Sequence, residues 1–153
     1  ESPFSDFTDY SSEVIEILEQ EFLPGPLMFV VKANDKIADL PVCVDEKIGL
    51  RKSSMPIVRK LLESSNRLLT ATSANKSGYP PALNDDDVKQ MFPDSDLHII
   101  GIPKGVKIYN KPSTALLFSD GQIMAIREGA IPVEDINAVL RENGIKQRIE
   151  YAR

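Results

Sequence analysis

Pro24-Gly25-Pro26 separates an amphipathic segment from a wholly apolar one, and that junction limits what the chain can fold into. Before it, Val14, Ile15, Leu18 and Phe22 recur at helical spacing, and Ser11 or Ser12 stands where a helix would be capped. The prolines end that helix, because each lacks an amide hydrogen and fixes its own φ. After them, PLMFVVKA (26–33) is apolar at successive positions, which predicts a strand buried on both faces. A helix that feeds a buried strand opens an α/β domain.

The rest of the chain continues the alternation. A short strand is expected over IGLR (48–51), with a lesser one around 41–44 in a loop. Ser54 is placed to cap a helix whose buried stripe would be Met55, Val58, Leu61 and Leu62, with Pro56 tolerated in its first turn. RLLTATSA (67–74) and LHIIGI (97–102) read as strands on either side of a short helix over 84–92. Asp85, Asp86 and Asp87 sit in its first turn, where the helix dipole favours negative charge; they read as capping residues and not as metal ligands. STALLFS (113–119), Asp120-Gly121 and QIMAIR (122–127) predict a hairpin. A final helix begins at Pro132 and ends at Gly144, followed by a charged tail expected to fray. Helices alternating with strands and a late hairpin define an α/β fold with a mixed sheet.

Length and composition fit this. The 153 residues suit one compact domain, and 42% apolar with 27% charged residues is ordinary for a globular protein. No apolar run approaches the ~20 residues needed to cross a bilayer, and no secretory pattern opens the chain. A lone cysteine, Cys43, excludes an internal disulfide, and these features together predict a cytoplasmic protein with no membrane partner. One cysteine and one histidine also argue against a structural zinc site. A helical pattern starts almost at Glu1, so the chain reads as a trimmed segment of a longer protein.

The net charge of −5 is unevenly spread. Residues 1–46 oppose many acids with only Lys32 and Lys36, whereas 47–83 carry Lys47, Arg51, Lys52, Arg59, Lys60, Arg67 and Lys76 against Glu63 alone. Such a sector can attract a phosphate-bearing ligand, or it is a solvated helix face at Arg59 and Lys60.

Several chemistries are absent. The sequence holds neither a G-x-x-x-x-G-K-[ST] loop nor a G-x-G-x-x-G turn, His98 lies inside an apolar pattern, and Cys43 is flanked by valines. Three stretches remain. TSANKSG (72–78) follows an expected strand end, where α/β sheets place ligands; it is either a polar turn or a corner that offers Ser73, Asn75 and Ser77 to an anion. Lys111-Pro112-Ser113-Thr114 puts two hydroxyls at a strand mouth. Arg127 ends an apolar strand, where alternation places it on the face of Ile123 and Ala125; its fork needs a carboxylate or a phosphate.

Together these stretches resemble one family. PGPL (24–27), SAN with SG (73–78), PST (112–114) and REGAI (127–131) follow the order seen in Sua5/YrdC/YciO proteins, and IGLR ending in Arg51 is similar to that family's short arginine-terminated strand. The likeness runs from about residue 14 to 143. It implies a twisted mixed sheet forming an open, barrel-like domain with flanking helices and a concave cavity. It also implies L-threonylcarbamoyladenylate synthesis from threonine, bicarbonate and ATP, with Mg2+ entering as part of the nucleotide substrate and no tightly bound cofactor. The threonylcarbamoyl group then goes to a tRNA adenosine through other tRNA-modification proteins. By motif, Arg51, Ser73, Asn75, Ser113 and Arg127 would bind the nucleotide and its phosphates. No covalent nucleophile is required, since fixed donors and positioning carry such a reaction.

The departures are specific. Met28 stands where the family has a threonine after PGPL, Ile100-Gly101-Ile102 replaces an Asp-Gly-Gly, and the family's amino-terminal portion has only a helix as its counterpart. These leave an alternative on the same fold, a non-catalytic module binding double-stranded RNA or tRNA. The overall acidity counts against it. A related carbamoyl-transfer domain is not distinguished by motif.

Overall fold

The computed structural model describes residues 4, 6–9, 12–65, 69–102, 109 and 111–152. Its centre is a five-stranded mixed sheet, ordered β2-β1-β3-β4-β5. The strands are β1 (Leu27–Lys32), β2 (Lys47–Leu50), β3 (Thr114–Ser119), β4 (Gln122–Arg127) and β5 (Glu150–Tyr151). β1 runs antiparallel to β2 and parallel to β3, β3 antiparallel to β4, and β4 parallel to β5. The sheet is open and does not close into a barrel; β2 and β5 form its edges.

Local chemistry sets most boundaries. Helix α1 (Glu13–Phe22) is capped by Ser12, whose Oγ accepts from the Ile15 N–H at 3.2 Å; Ser11 lies outside the described residues. Asp120 and Gly121 both adopt positive φ, 51° and 73°, as a two-residue hairpin turn between β3 and β4 requires. Helix α4 (Val133–Glu142) ends where Gly144 takes φ 78°, and the Ile145 N–H reaches back to the Leu140 carbonyl at 2.9 Å. That 6→1 bond satisfies a carbonyl that the helix end leaves without a partner.

One face of the sheet carries the core. Phe29, Val31, Leu116, Phe118, Ile123 and Ala125 pack there with Val14, Ile15 and Leu18 of α1 and Val133, Ile136 and Leu140 of α4. Leu18, Leu27, Leu116, Ile136 and Leu140 are fully enclosed, each contributing roughly 1.5–3 kcal/mol by burial. Phe29 meets Phe118 edge-on at 5.5 Å and Phe4 at 6.0 Å. The opposite face bears Met28, Val30, Leu117 and Met124, all only half-buried, so β1 is not enclosed equally on both faces as its composition predicts.

Other expectations need correction. Residues 69–74 and 97–102 form no strand among the described residues, and Leu69, Leu97, Ile99, Ile100 and Ile102 are exposed; Arg67 and Leu68 lie outside them. Apolar, β-branched sequence favours extended backbone, but a strand exists only with a hydrogen-bonded neighbour, and these stretches have none among the described residues. Helix α2 (Pro56–Ser65) buries no residue, so its expected stripe is not enclosed, and Ser53 rather than Ser54 accepts an N–H at its entry, from Met55 at 3.2 Å. Of the weak strand near 41–44, only a bridge from Val44 to Lys47 forms. Helix α3 (Asp85–Met91) forms where expected, but Asn84 rather than an aspartate caps it, accepting from the Asp87 N–H at 2.9 Å; of the three aspartates only Asp87 accepts a backbone N–H among the described residues, from Leu83 at 2.9 Å.

The tail does not fray. Ile149 is buried, and β5 adds to β4. Buried Asn137 on α4 fastens it, donating from Nδ2 to the Ile149 carbonyl at 3.0 Å and accepting from the Ile149 N–H at 2.8 Å. An amide that satisfies both backbone groups of one residue pairs them as a neighbouring strand would.

Candidate functional site

The Pro24-Gly25-Pro26 turn is fastened on both sides. The Gly25 N–H donates to the Lys52 carbonyl at 2.9 Å, and the Pro26 carbonyl accepts from the Thr114 N–H at 2.9 Å. A Cβ at Gly25 would lie 2.1 Å from the Phe22 carbonyl oxygen, so only glycine fits that turn. The turn thereby draws the end of β2 towards the start of β3.

Arg51 and Ser113 meet as a result. Arg51 Nη1 donates to Ser113 Oγ at 2.9 Å across 62 positions of sequence. Arg127 Nε donates to the Ser113 carbonyl at 3.0 Å. Ser113 is only 6% exposed, while both arginines are exposed. Among the described residues neither guanidinium is paired with a carboxylate. Each spends one N–H on Ser113 and presents the rest of its fork to solvent.

Arg127 reaches that point through an irregularity in β4. Leu116 stands opposite Ala125, yet Ala115 stands opposite Arg127, so Ile126 is an extra residue. This bulge corrects the expectation from simple alternation. Cross-strand partners share a face, and Ala115, unlike Leu116, lies outside the helix-covered core. Arg127 is therefore carried to the open face and away from Ile123 and Ala125. Bulges re-aim side chains in this way.

The loop after Arg127 is tied to the same serine-threonine pair. Thr114 Oγ1 is completely buried; it accepts from the Gly129 and Ile131 N–H groups at 3.0 and 3.1 Å and donates to the Ile131 carbonyl at 2.5 Å. The Ala130 N–H donates to the Pro112 carbonyl at 2.9 Å, and a Cβ on Gly129 would sit 2.1 Å from that carbonyl oxygen. Glu128 Oε2 accepts from the Val133 N–H at 2.9 Å, where Pro132 gives α4 no side-chain cap, and from the Tyr151 hydroxyl at 2.5 Å. The Tyr151 bond, then the Val133 N–H, hold the Glu128 carboxyl below its ordinary value, and the carboxylate in turn raises the Tyr151 hydroxyl.

Ser73 and Asn75 stand apart from this cluster. The Asn75 N–H donates to the Ser73 carbonyl at 3.0 Å, and Asn75 Nδ2 donates to the carbonyls of Lys76 and Tyr79 at 3.1 and 3.0 Å. The loop thus closes on itself, with Gly78 at φ 83° making the turn. Asn75 Oδ1 is buried without a hydrogen-bond partner among the described residues. The structure therefore brings together Arg51, Ser113 and Arg127, but makes no hydrogen bond from them to 73–75. A pocket of about 280 Å³ lies next to the cluster, lined by Glu21, Gly25, Pro26, Tyr109 and Ile131 among others, and none of the five expected residues lines it.

Among the described residues no three His, Cys, Asp or Glu side chains gather as a metal would require, and no helix is long and apolar enough to cross a membrane. The donors present suit an anion. The motifs point to Arg51, Ser113 and Arg127 but give no sign of the bulge; the position of Glu128 before a proline-started helix hints at its bond to the Val133 N–H, and nothing in the sequence marks Tyr151 as its partner.

Fold and cluster define an α/β domain with a mixed sheet, with two exposed arginines hydrogen-bonded to one buried serine at its open face. The Sua5_yciO_yrdC family model, described as telomere recombination, matches residues 2–129. The chain belongs to this Sua5/YrdC/YciO family. It is 35% identical over 128 residues to a protein of Methanocaldococcus jannaschii named "Putative threonylcarbamoyl-AMP synthase", covering 83% of this chain and 58% of the relative. It is 28% identical over 130 residues to the threonylcarbamoyl-AMP synthase of Pyrococcus abyssi, covering 38% of that protein. The crystal structure of P. abyssi Sua5 complexed with L-threonine superposes with a TM-score of 0.79 at 26% identity, over 95% of this chain and 41% of that one. The chain thus spans between 38% and 58% of the length of these relatives.

Proposed function

We propose that this chain forms the phosphate-holding part of an L-threonylcarbamoyladenylate synthase. The observation that carries the reading is the convergence of Arg51 and Arg127 on Ser113, without a carboxylate to neutralise either among the described residues. A polyphosphate fits two such forks, because guanidinium groups take phosphate oxygens in bidentate pairs. The names of the relatives supply the substrate class.

In this reading threonine and bicarbonate give N-carboxythreonine and water. Its carboxylate attacks the α-phosphorus of ATP, the bond to the β-phosphate oxygen breaks, and pyrophosphate leaves. Arg51 and Arg127 hold the phosphates and offset the charge that develops on them, while Ser113 fixes both guanidinium groups. Ser73 and Asn75 serve the nucleotide from a second loop. Mg2+ arrives with ATP and needs few protein ligands. Placement and fixed donors supply the rate enhancement. The product's acyl group passes to tRNA through further proteins.

The test is pyrophosphate release by the gene product supplied with ATP, threonine and bicarbonate. Threonine-dependent release supports the reading, and release that ignores threonine, or none at all, contradicts it. A nucleic-acid module on the same fold has one feature in its favour, the exposed Arg59 and Lys60 on the unburied helix α2. It predicts affinity for duplex RNA that falls steeply with salt, and a flat titration at low salt removes it.

A further inference from the structure

We infer that Thr114 is a positioning residue: through its three hydrogen bonds to the 129–131 loop, its hydroxyl sets where Arg127 presents its guanidinium. The inference rests on the reading above only for its consequence in nucleotide binding.

The geometry is specific. Thr114 is the first residue of β3 and is fully buried, yet its side chain is polar. A buried hydroxyl is costly unless it is bonded, and this one is saturated, accepting twice and donating once. All three partners belong to Gly129 and Ile131, the residues that follow Arg127. The loop has little freedom otherwise, since Gly129 passes so close to Pro112 that a Cβ would collide with its carbonyl. Arg127 in turn bonds the carbonyl of Ser113, the neighbour of Thr114. One side of this loop thus grips the threonine hydroxyl, while the arginine before it grips the backbone one residue away. Loosening the first frees the bulged end of β4, and with it the Arg127–Ser113 contact. Removing the hydroxyl also strands two buried N–H groups, which gives the loop reason to move.

The experiment uses Thr114→Val, which keeps shape and loses the hydroxyl, and Thr114→Ser, which keeps the hydroxyl and loses a methyl. NMR reads the exchange of the Gly129 and Ile131 amides and the Nε–H signal of Arg127. Titration with ATP reads affinity. Expected for Thr114→Val are exchange at Gly129 and Ile131 faster by on the order of tenfold or more, a displaced or vanished Arg127 Nε–H signal, and unchanged exchange at Phe29 and Leu116. Thr114→Ser restores the wild-type loop and arginine signals. A valine variant that folds with an unmoved Arg127 signal overturns the inference. So does a serine variant as disturbed as the valine one, which stays informative if Thr114→Val does not fold. Failure of the wild-type chain to bind ATP counts against the nucleotide reading alone, because the Arg127 signal reports positioning with no ligand added.

Discussion

Arg127 stands opposite Ala115, although Ala125, two positions earlier, stands opposite Leu116, the very next residue of the facing strand. That one-residue mismatch decides which side of the sheet receives the guanidinium. Without it the arginine would be driven among Ile123, Ala125 and α4, where an unpaired charge costs several kcal/mol.

Deleting Ile126 is therefore expected to be tolerated. It removes the extra residue and leaves arginine opposite Ala115, with its bond to the Ser113 carbonyl intact. Deleting Met124 instead forces neighbouring residues to exchange faces. Urea unfolding should show a loss of about 1–2 kcal/mol or less for the first, within the range of ordinary substitutions, and no cooperative transition for the second.

Gly129→Ala is expected to destabilise the chain by about 1–3 kcal/mol, the usual cost of overpacking, because the new methyl meets the Pro112 carbonyl oxygen at 2.1 Å. Gly121→Ala has open space around its Cβ but a φ of 73°, so it should cost about 1–2 kcal/mol from backbone strain alone. Only the first should weaken ATP binding, which calorimetric titration of both variants would show.

The Glu128–Tyr151 contact gives a pH dependence with a definite sign. Glu128 is lowered from 4.5 in the folded chain, so its contribution is present above 4.5 and is lost as pH falls through the lower folded value. Tyr151 is raised from 10.0, so its contribution is present below 10.0 and is lost as pH rises through the higher folded value. Hydrogen exchange at Val133 and Tyr151 should therefore be slowest, relative to the intrinsic rate, between those limits. Tyr151→Phe should remove the alkaline loss and shrink the acid one.

Asn137→Leu should release β5. The Ile149 N–H and carbonyl lose both partners, and about 1–3 kcal/mol is lost for the stranded groups. Exchange at Ile149 and Tyr151 should accelerate while β1 and β3 keep their protection.

The parts legible in the sequence were those governed by local rules. Spacing of Val14, Ile15, Leu18 and Phe22 marked α1, and positive-φ residues at Asp120-Gly121 and Gly144 marked the hairpin and the end of α4. The acidic first turn placed α3, although Asn84 and not an aspartate caps it. What depends on distant neighbours was not legible. Apolar composition at 69–74 and 97–102 shows a tendency to extend, not whether a partner strand adjoins it. The tail looked free because its fastening, Asn137, is polar and twelve residues away. At the site, the motifs pointed to Ser113 and both arginines, but period-two alternation misplaced Arg127, since a bulge leaves no mark in composition. Ser73 and Asn75 remained a loop whose own hydrogen bonds account for most of its polarity.

Arg51 and Arg127 are proposed to act together on one polyphosphate, and their own Nε–H signals report this during titration with ATP. Both signals should shift along a single saturation curve, and Arg51→Ala or Arg127→Ala should each lower affinity by about 10–100-fold, as loss of a charged hydrogen-bonding partner implies. Saturable ATP binding that leaves either arginine signal unmoved, or no binding by the intact gene product, would contradict it.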